Sequence, residues 1–222
     1  MEGTGEVFLA ALDEGEAGEL KERGIVRTYQ RGTALFHEQQ TADRVMLIQK
    51  GWAKLSALSE DGKEVVLAIR GPGDLVGELS AIDGEPRSAT ATALAPVDVL
   101  VLAAGDFRAF LERNPRVALL LVALLARRLR DADRKRVEFT AQDSTGRVAA
   151  RVVELSERFG DEVEHGLRID LPISQEELAG WTGCSRDSVV KALHAMRELG
   201  WIETERRRIT VLDVEALRRR AR

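Results

Sequence analysis

The chain has little of what disulfide, metal and membrane chemistry require. It carries one cysteine, Cys184, in 222 residues. One thiol cannot close an internal disulfide, and it cannot hold an iron–sulfur cluster or a structural zinc, which argues against redox and cluster sensing. Its three histidines, His37, His165 and His194, lie far apart. They lack the His-x-His pair and later Glu or His of a cupin metal site, so a metal-dependent enzyme on a small β-barrel is the alternative with least support, and no metal ligand is assigned. The longest apolar run, Val117 to Ala126, is too short to span a bilayer, and "MEGTGEVFLAALDEGE" lacks the basic stretch of a signal peptide. The expectation is a cytoplasmic protein without a membrane partner.

What is present is ordinary for a globular protein, with 44% hydrophobic and 32% charged residues. The net charge of -4 conceals an asymmetry: residues 1–113 hold 12 Lys+Arg against 19 Asp+Glu, residues 114–169 hold 11 against 9, and residues 170–222 hold 10 against 9. A near-neutral tail with clustered arginines permits nucleic-acid binding without proving it.

Residues 6–24 suggest short helices, with Asp13 as N-cap and Gly24 as the stop. From Ile25 to about Leu102, short apolar runs ("GIVRTY", "RVMLIQKG", "EVVLAIRG", "VDVLVLAA") alternate with Arg-Gly, Asp-Gly and Gly-Pro-Gly turns, which predicts an antiparallel sandwich or barrel. "DFRAFLERNP" reads as a short helix closed by Pro115. A long helix then follows, with Leu121, Leu125, Leu129, Ala132, Arg136 and Phe139 near one face, either a dimer seam or a face packed on the barrel. "TAQDSTGRVA" interrupts that helix, with Asp143 capping the next. The reading is α+β in three segments: a β-rich front over 1–113, a long helix and hinge over 114–142, and a tail domain over 143–222, whose first helix runs to Gly160 and is followed by the loop "GDEVEHGLRID".

The tail contains a helix-turn-helix. Ser174 and Glu177 form an S-x-x-E capping box that starts a helix at Gln175, Gly183 supplies a sharp turn, and Ser185 caps a second helix. Val189, Ala192, Leu193 and Met196 face inward on that helix, leaving Arg186, Asp187, Ser188 and Lys191 in front and outside. Such a helix enters a major groove with its first residues at base edges. "WIETERRRITVL" suggests two strands around a charged turn, a wing whose Arg206, Arg207 and Arg208 suit phosphate. Ser174, Gln175, Ser185, Arg186, Asp187, Ser188, Lys191 and these three arginines are the candidate contacts to double-stranded DNA.

One stretch, "GELSAIDGEPRSAT" at 77–90, is chosen for more than a hairpin. Glycine admits backbone amides close to an anion, a carboxylate accepts a hydroxyl proton, and an arginine fork suits a singly charged phosphodiester better than a lysine. The competing reading pairs Arg87 with Glu85 on the surface and leaves Gly77 to turn a strand.

The order "RGTALFHEQQTADRVMLIQKGWAKLS", "GPGDLVGELSAIDGEPRSATATAL", "STGRVA", "GCSRDSVVKAL" resembles the CRP/FNR family of bacterial transcription regulators, with an actinobacterial flavour, over nearly the whole chain. The resemblance implies a cyclic-nucleotide-binding jelly roll, a long dimerisation helix and a winged helix-turn-helix. It makes 77–90 the phosphate cassette: Arg87 meets the cyclic phosphate, Ser88 and the backbone of Gly77, Leu79, Ser80 and Ala89 add hydrogen bonds, and Glu78 accepts from the ribose 2′-hydroxyl. It implies a homodimer on a pseudo-palindromic TGTGA-type site with half-sites roughly 10 bp apart, an RNA polymerase partner, and no cofactor beyond the effector. In the recognition helix Arg186 matches a guanine reader, Asp187 stands where a cytosine-accepting glutamate is usual, and Lys191 matches a basic contact. Two departures stand out. Cyclic-AMP-responsive members offer Thr then Ser or Asn to the adenine where this chain has Ala132 and Asp133; Asp133 could accept from adenine or from a guanine edge, or be a solvated charge, so cAMP, cGMP and no effector all stay open. Gln39 replaces a usual glycine, and a positive φ there would strain it.

Overall fold

The computed structural model describes residues 7–170, 173–205 and 207–221. Among these, residues 7–59 and 67–131 form one compact unit, and 60–66 with 132–221 form a second.

The first unit opens with a 3-10 turn (Phe8–Ala11) and helix α1 (Glu14–Arg23). The Asp13 carboxylate accepts from the Glu16 amide at 2.8 Å while Glu16 accepts from the Asp13 amide at 2.9 Å, a reciprocal cap that fixes where α1 begins. Eight strands follow: β1 (Ile25–Tyr29), β2 (Ala34–Phe36), β3 (Arg44–Lys50), β4 (Ala53–Leu58), β5 (Glu64–Arg70, its first three residues grouped with the second unit), β6 (Leu75–Val76), β7 (Thr90–Ala93) and β8 (Val97–Ala103), with helix α2 (Glu78–Asp83) between β6 and β7. They make two four-stranded sheets, β1-β8-β3-β6 and β2-β7-β4-β5. Pairing is antiparallel, as the spacing of the turns predicts.

Successive side chains on a strand point to opposite faces, and both faces of β3 and β8 are covered. Val45, Leu47, Leu100 and Leu102 enter one cluster with Phe107, Phe110, Val117 and Leu121. Met46, Ile48, Val97 and Val99 enter a second with Phe36, Ala91 and Ala93. Burial on both sides is why these strands read as continuous apolar runs.

Helix α3 (Ala104–Arg113) ends at Asn114, and α4 (Pro115–Ala141) starts at the next residue. The short helix does stop just before Pro115, as expected, and Pro115 also opens the next one, two residues earlier than the spacing suggests: at the first helical position the missing N–H would have had no partner. The apolar seam predicted on α4 is divided. Leu121 and Leu125 belong to the front core, whereas Leu129 is 64% exposed and Ala132, Arg136 and Phe139 are exposed too. The exposed large apolar residues of α4 are Leu119, Val122, Leu129, Val137 and Phe139. The helix is so rich in leucine that two faces satisfy three- and four-residue spacing, and a one-residue offset turns the stripe by about 100°.

The second unit contains the end of α4, then α5 (Ser144–Phe159), β9 (Gly160–Val163), β10 (Gly166–Ile169), α6 (Gln175–Thr182), α7 (Arg186–Glu198), β11 (Ile202–Glu205), β12 (Arg208–Val211) and α8 (Val214–Arg220). Asp143 caps α5 by accepting from the Gly146 amide at 2.8 Å, and Arg220 donates to the same carboxylate. These two donors hold its pKa below the usual aspartate range. The segment expected as a loop, 160–170, is a hairpin: β12 pairs with both β10 and β11, giving the order β11-β12-β10-β9. Its residues alternate too weakly to announce strands, and pairing with β12 supplies the order. Val148, Val152 and Leu155 line the buried side of α5, which packs against α6, α7 and α8.

A buried charge cluster lies in this unit. Arg151 donates to Glu138 and, at 2.7 Å, to Glu154, while Lys135 donates to Glu154 at 3.1 Å. Both cations lie over the Trp181 ring. Burial pushes the Glu154 carboxyl up, but Lys135, Arg151 and Arg158 outweigh it and leave the pKa lowered. The stability this provides is present above the unfolded glutamate pKa and is lost as pH falls through the lower folded value. Arg151→Met should therefore cost about 3 kcal/mol in urea unfolding at pH 7, the low end for a broken buried pair because Lys135 still meets Glu154. The difference from wild type should shrink below about pH 4.5, the ordinary glutamate value; a constant difference across that range would remove the charge argument.

Candidate nucleotide cassette and DNA-reading elements

The structure gathers Gly77, Glu78 and Arg87 into one constellation. Gly77 adopts φ 78°, in the left-handed region, and a Cβ there would lie 2.4 Å from Arg87 Nη1, so glycine is needed both for the turn and for the approach of the guanidinium. Arg87 is 2% exposed. Nη1 donates to the Gly77 carbonyl at 2.7 Å, Nη2 donates to the Arg44 carbonyl at 2.5 Å, and the guanidinium lies 4.5 Å from the centre of the Phe36 ring. Its Nε is buried with no hydrogen-bond partner. Burial draws its pKa below the usual arginine range, against an opposing pull from Asp43. A surface ion pair with Glu85 is thus not what Arg87 makes. Its head borders a recess of about 300 Å³ lined also by Leu35, Phe36, Gln40, Thr41, Asp43 and Arg44.

Glu78, the first residue of α2, is 5% exposed and accepts from Arg128 Nη1 of α4 at 2.5 Å. Arg128 also donates to the Leu75 carbonyl at 3.1 Å and reaches Asp74 at 3.4 Å. Sequence reasoning missed Arg128. The available signal was a cation one helical turn before Ala132, among the leucines of α4. Ser80 is buried and donates to the Pro86 carbonyl, bracing the loop; Leu79 and Ser88 are exposed and Ala89 is buried. Ala132 and Asp133 lie in the second unit, exposed, with Asp133 at 3.9 Å from Arg136.

The backbone of Arg87 is held by the turn at 37–40: the Gln39 amide donates to the Arg87 carbonyl at 2.8 Å and the Arg87 amide donates to the Gln40 carbonyl at 2.9 Å. Gln39 has φ 65°, the strained case. Left-handed backbone costs an L side chain about 1–2 kcal/mol, part of which glycine returns through the entropy of the unfolded chain, so Gln39→Gly should stabilise by up to about 1 kcal/mol. A higher urea midpoint is expected; a lower one would show that the Gln39 side chain contributes more than its backbone strain costs.

In the second unit the helix-turn-helix has the predicted caps. Ser174 Oγ accepts from the Glu177 amide at 3.1 Å, Glu177 accepts from the Ser174 amide at 2.7 Å, and Ser185 Oγ accepts from the Ser188 amide at 3.1 Å. Gly183 turns with φ 60°. Val189, Ala192 and Met196 are buried, Leu193 is half-buried, and Gln175, Arg186, Asp187 and Lys191 are exposed. Strands β11 and β12 form the wing. Arg206 lies outside the described residues, Arg207 takes φ 62°, and Arg208 donates to Asp170 at 2.6 Å and Glu205 at 2.9 Å. Those acids raise the Arg208 pKa, Asp170 foremost, and engage the guanidinium that was expected to meet phosphate.

A buried arginine in a glycine turn on a β sandwich, followed by a capped helix-turn-helix and wing, is the build of a DNA-binding regulator of transcription with a sensor-type front domain. Comparison with known proteins agrees: the cyclic nucleotide-binding domain family matches residues 26–114, and the Crp-like helix-turn-helix domain family matches residues 146–220. The CRP-like cAMP-activated global transcriptional regulator of Mycobacterium tuberculosis is 36% identical over 87% of this chain and 87% of its own. The Cyclic AMP receptor protein of Thermus thermophilus is 36% identical over 78% of this chain and 77% of its own. Among solved structures, FixK2 from Bradyrhizobium japonicum superposes with a TM-score of 0.79 at 21% identity, covering 88% of this chain and 96% of that one. The chain belongs to the CRP/FNR family of DNA-binding transcription regulators. These relatives are regulators, not enzymes, and the cupin reading is set aside. Among the described residues no helix is long and apolar enough to cross a membrane.

Proposed function

We propose that this protein is a cytoplasmic homodimeric regulator that binds cAMP in the 77–90 cassette and, in response, a pseudo-palindromic TGTGA-type DNA site. The constellation of Arg87, Gly77 and Glu78 carries the reading. A buried guanidinium with an unpartnered Nε is ready to accept an anion, and a phosphodiester can replace the two carbonyls that it now bonds. Glu78 would turn from Arg128 toward a ribose hydroxyl, or share it. In that role Arg87 binds phosphate, Ser88 and the backbone of Gly77, Leu79, Ser80 and Ala89 support it, and Ala132 and Asp133 face the base. The exposed Leu119, Val122 and Leu129 of α4 support a seam with a second copy. Arg186, Asp187 and Lys191 read bases, while Ser174, Gln175, Ser185, Ser188 and the wing arginines Arg206 and Arg207 contact the DNA backbone, which Arg208 would join only on leaving Asp170 and Glu205. Asp133, a carboxylate where a hydroxyl or amide is usual, keeps cGMP as the second ligand to test, and RNA polymerase is the expected protein partner.

A second reading rests on the two carbonyl bonds of Arg87. A cassette that satisfies its own arginine suits a regulator needing no nucleotide. Calorimetry on protein that has been unfolded, stripped of ligand and refolded separates the two. Micromolar or tighter binding of cAMP or cGMP supports the sensor, and no heat with either supports the effector-free regulator.

A further inference from the structure

One side chain ties the end of the long helix to the turn before the recognition helix. Arg147, near the start of α5, uses every nitrogen of its guanidinium within the second unit. Nη1 donates to the Gln142 carbonyl at 2.8 Å, where α4 closes. Nε donates to the Thr182 carbonyl at 2.8 Å, and Nη2 reaches Cys184 Sγ at 3.4 Å, on either side of the Gly183 turn. The guanidinium also lies 5.4 Å from the centre of the Phe139 ring. Phe139, on α4, presses on the same turn: a Cβ at Gly183 would fall 2.4 Å from its ring. Cys184 adjoins Ser185, the cap that fixes the first turn of α7 and hence the direction of Arg186.

We infer that Arg147 is a positioning residue for DNA recognition. With Phe139 and Gly183 it brackets the hinge at 139–142 to the turn at 182–184, and so sets where the front of α7 lies relative to the end of α4 without itself touching DNA. A planar fork reaches three acceptors in fixed directions; a lysine ammonium at the same place would reach fewer. Every contact in the bracket is to backbone, sulfur or ring, so its removal changes geometry and leaves the phosphate-facing charges in place. The inference rests on α7 being the DNA-reading helix.

The test uses the full chain as wild type, Arg147→Gln, Arg147→Lys and Gly183→Ala. Hydrogen exchange followed by mass spectrometry should show the amides from Gly183 to Ser188 opening roughly tenfold faster or more in Arg147→Gln, since their anchoring is lost. Fluorescence anisotropy with a TGTGA-type duplex across a salt series should show roughly tenfold weaker binding with an unchanged salt slope, because no phosphate contact has gone. Arg147→Lys should fail to restore either quantity, and Gly183→Ala should reproduce both losses by displacing Phe139 and straining the left-handed turn itself. If Arg147→Gln does not fold, the other two variants decide: wild-type exchange and affinity in both overturns the inference. A salt slope shallower by about one would overturn it too, by making Arg147 a phosphate contact. Wild-type protein that bound no duplex would fail the proposed function instead, and the exchange measurement, which needs no DNA, would still decide the bracket.

Discussion

Arg87→Ala should reduce cyclic-nucleotide affinity by roughly a hundredfold or more and destabilise the first unit by about 1–3 kcal/mol. The first figure follows from losing charge-assisted hydrogen bonds to a phosphate, each worth about 1.5–3 kcal/mol, with every 1.4 kcal/mol a factor of ten. The second follows from the ligand-free contacts: the Gly77 and Arg44 carbonyls lose their donor and the Phe36 ring loses its cation. Arg87→Lys separates the two effects. It keeps the charge beside Phe36 but cannot bridge two acceptors in a plane, so stability should recover more than affinity. Calorimetric titration beside urea unfolding reads both quantities, and equal recovery of the two by lysine would contradict the fork.

Arg186→Ala should weaken binding to a TGTGA-type duplex by about 1–3 kcal/mol and flatten discrimination at one guanine, the value of a bidentate contact to the O6 and N7 edge. Arg186 is exposed at the first position of α7, directly after a cap formed by Ser185. Binding to a duplex already altered at that guanine should change little between wild type and variant. A uniform loss on every sequence, with a smaller salt slope, would place Arg186 on phosphate instead. Asp187, one methylene shorter than the glutamate it replaces, offers the companion test: Asp187→Glu should sharpen preference at the neighbouring C·G pair, read by competition between duplexes.

Most of the architecture was legible because the signals were local. The Asp13 and Ser185 caps, the Ser174 capping box and the glycine turns fix boundaries within a few residues, and β3 and β8 declare burial through unbroken apolar runs. The features that were missed are tertiary. Pro115 was readable as the stop after α3, whereas its second role, as the first residue of α4, was not. The face of α4 that stays exposed depends on which leucines the front core takes, which a leucine-rich helix does not announce. The 160–169 hairpin has no alternation of its own and exists through β12. In the cassette, Gly77, Glu78 and Arg87 could be read from residue type and spacing, whereas Arg128 is far away in sequence and becomes visible only when α4 lies beside Glu78. Gln39 was readable as a possible strain, and its φ of 65° bears that out.

Coupling of the cassette to the DNA-reading helix is tested most directly by the affinity of stripped protein for a fluorescent palindromic duplex, with and without saturating cAMP. The nucleotide should raise DNA affinity by roughly tenfold or more in wild type and leave Arg87→Ala unchanged, and by linkage the duplex should tighten nucleotide binding by the same factor. High affinity in stripped protein that neither cAMP nor cGMP alters would contradict the coupling and leave a regulator whose cassette is closed on its own arginine.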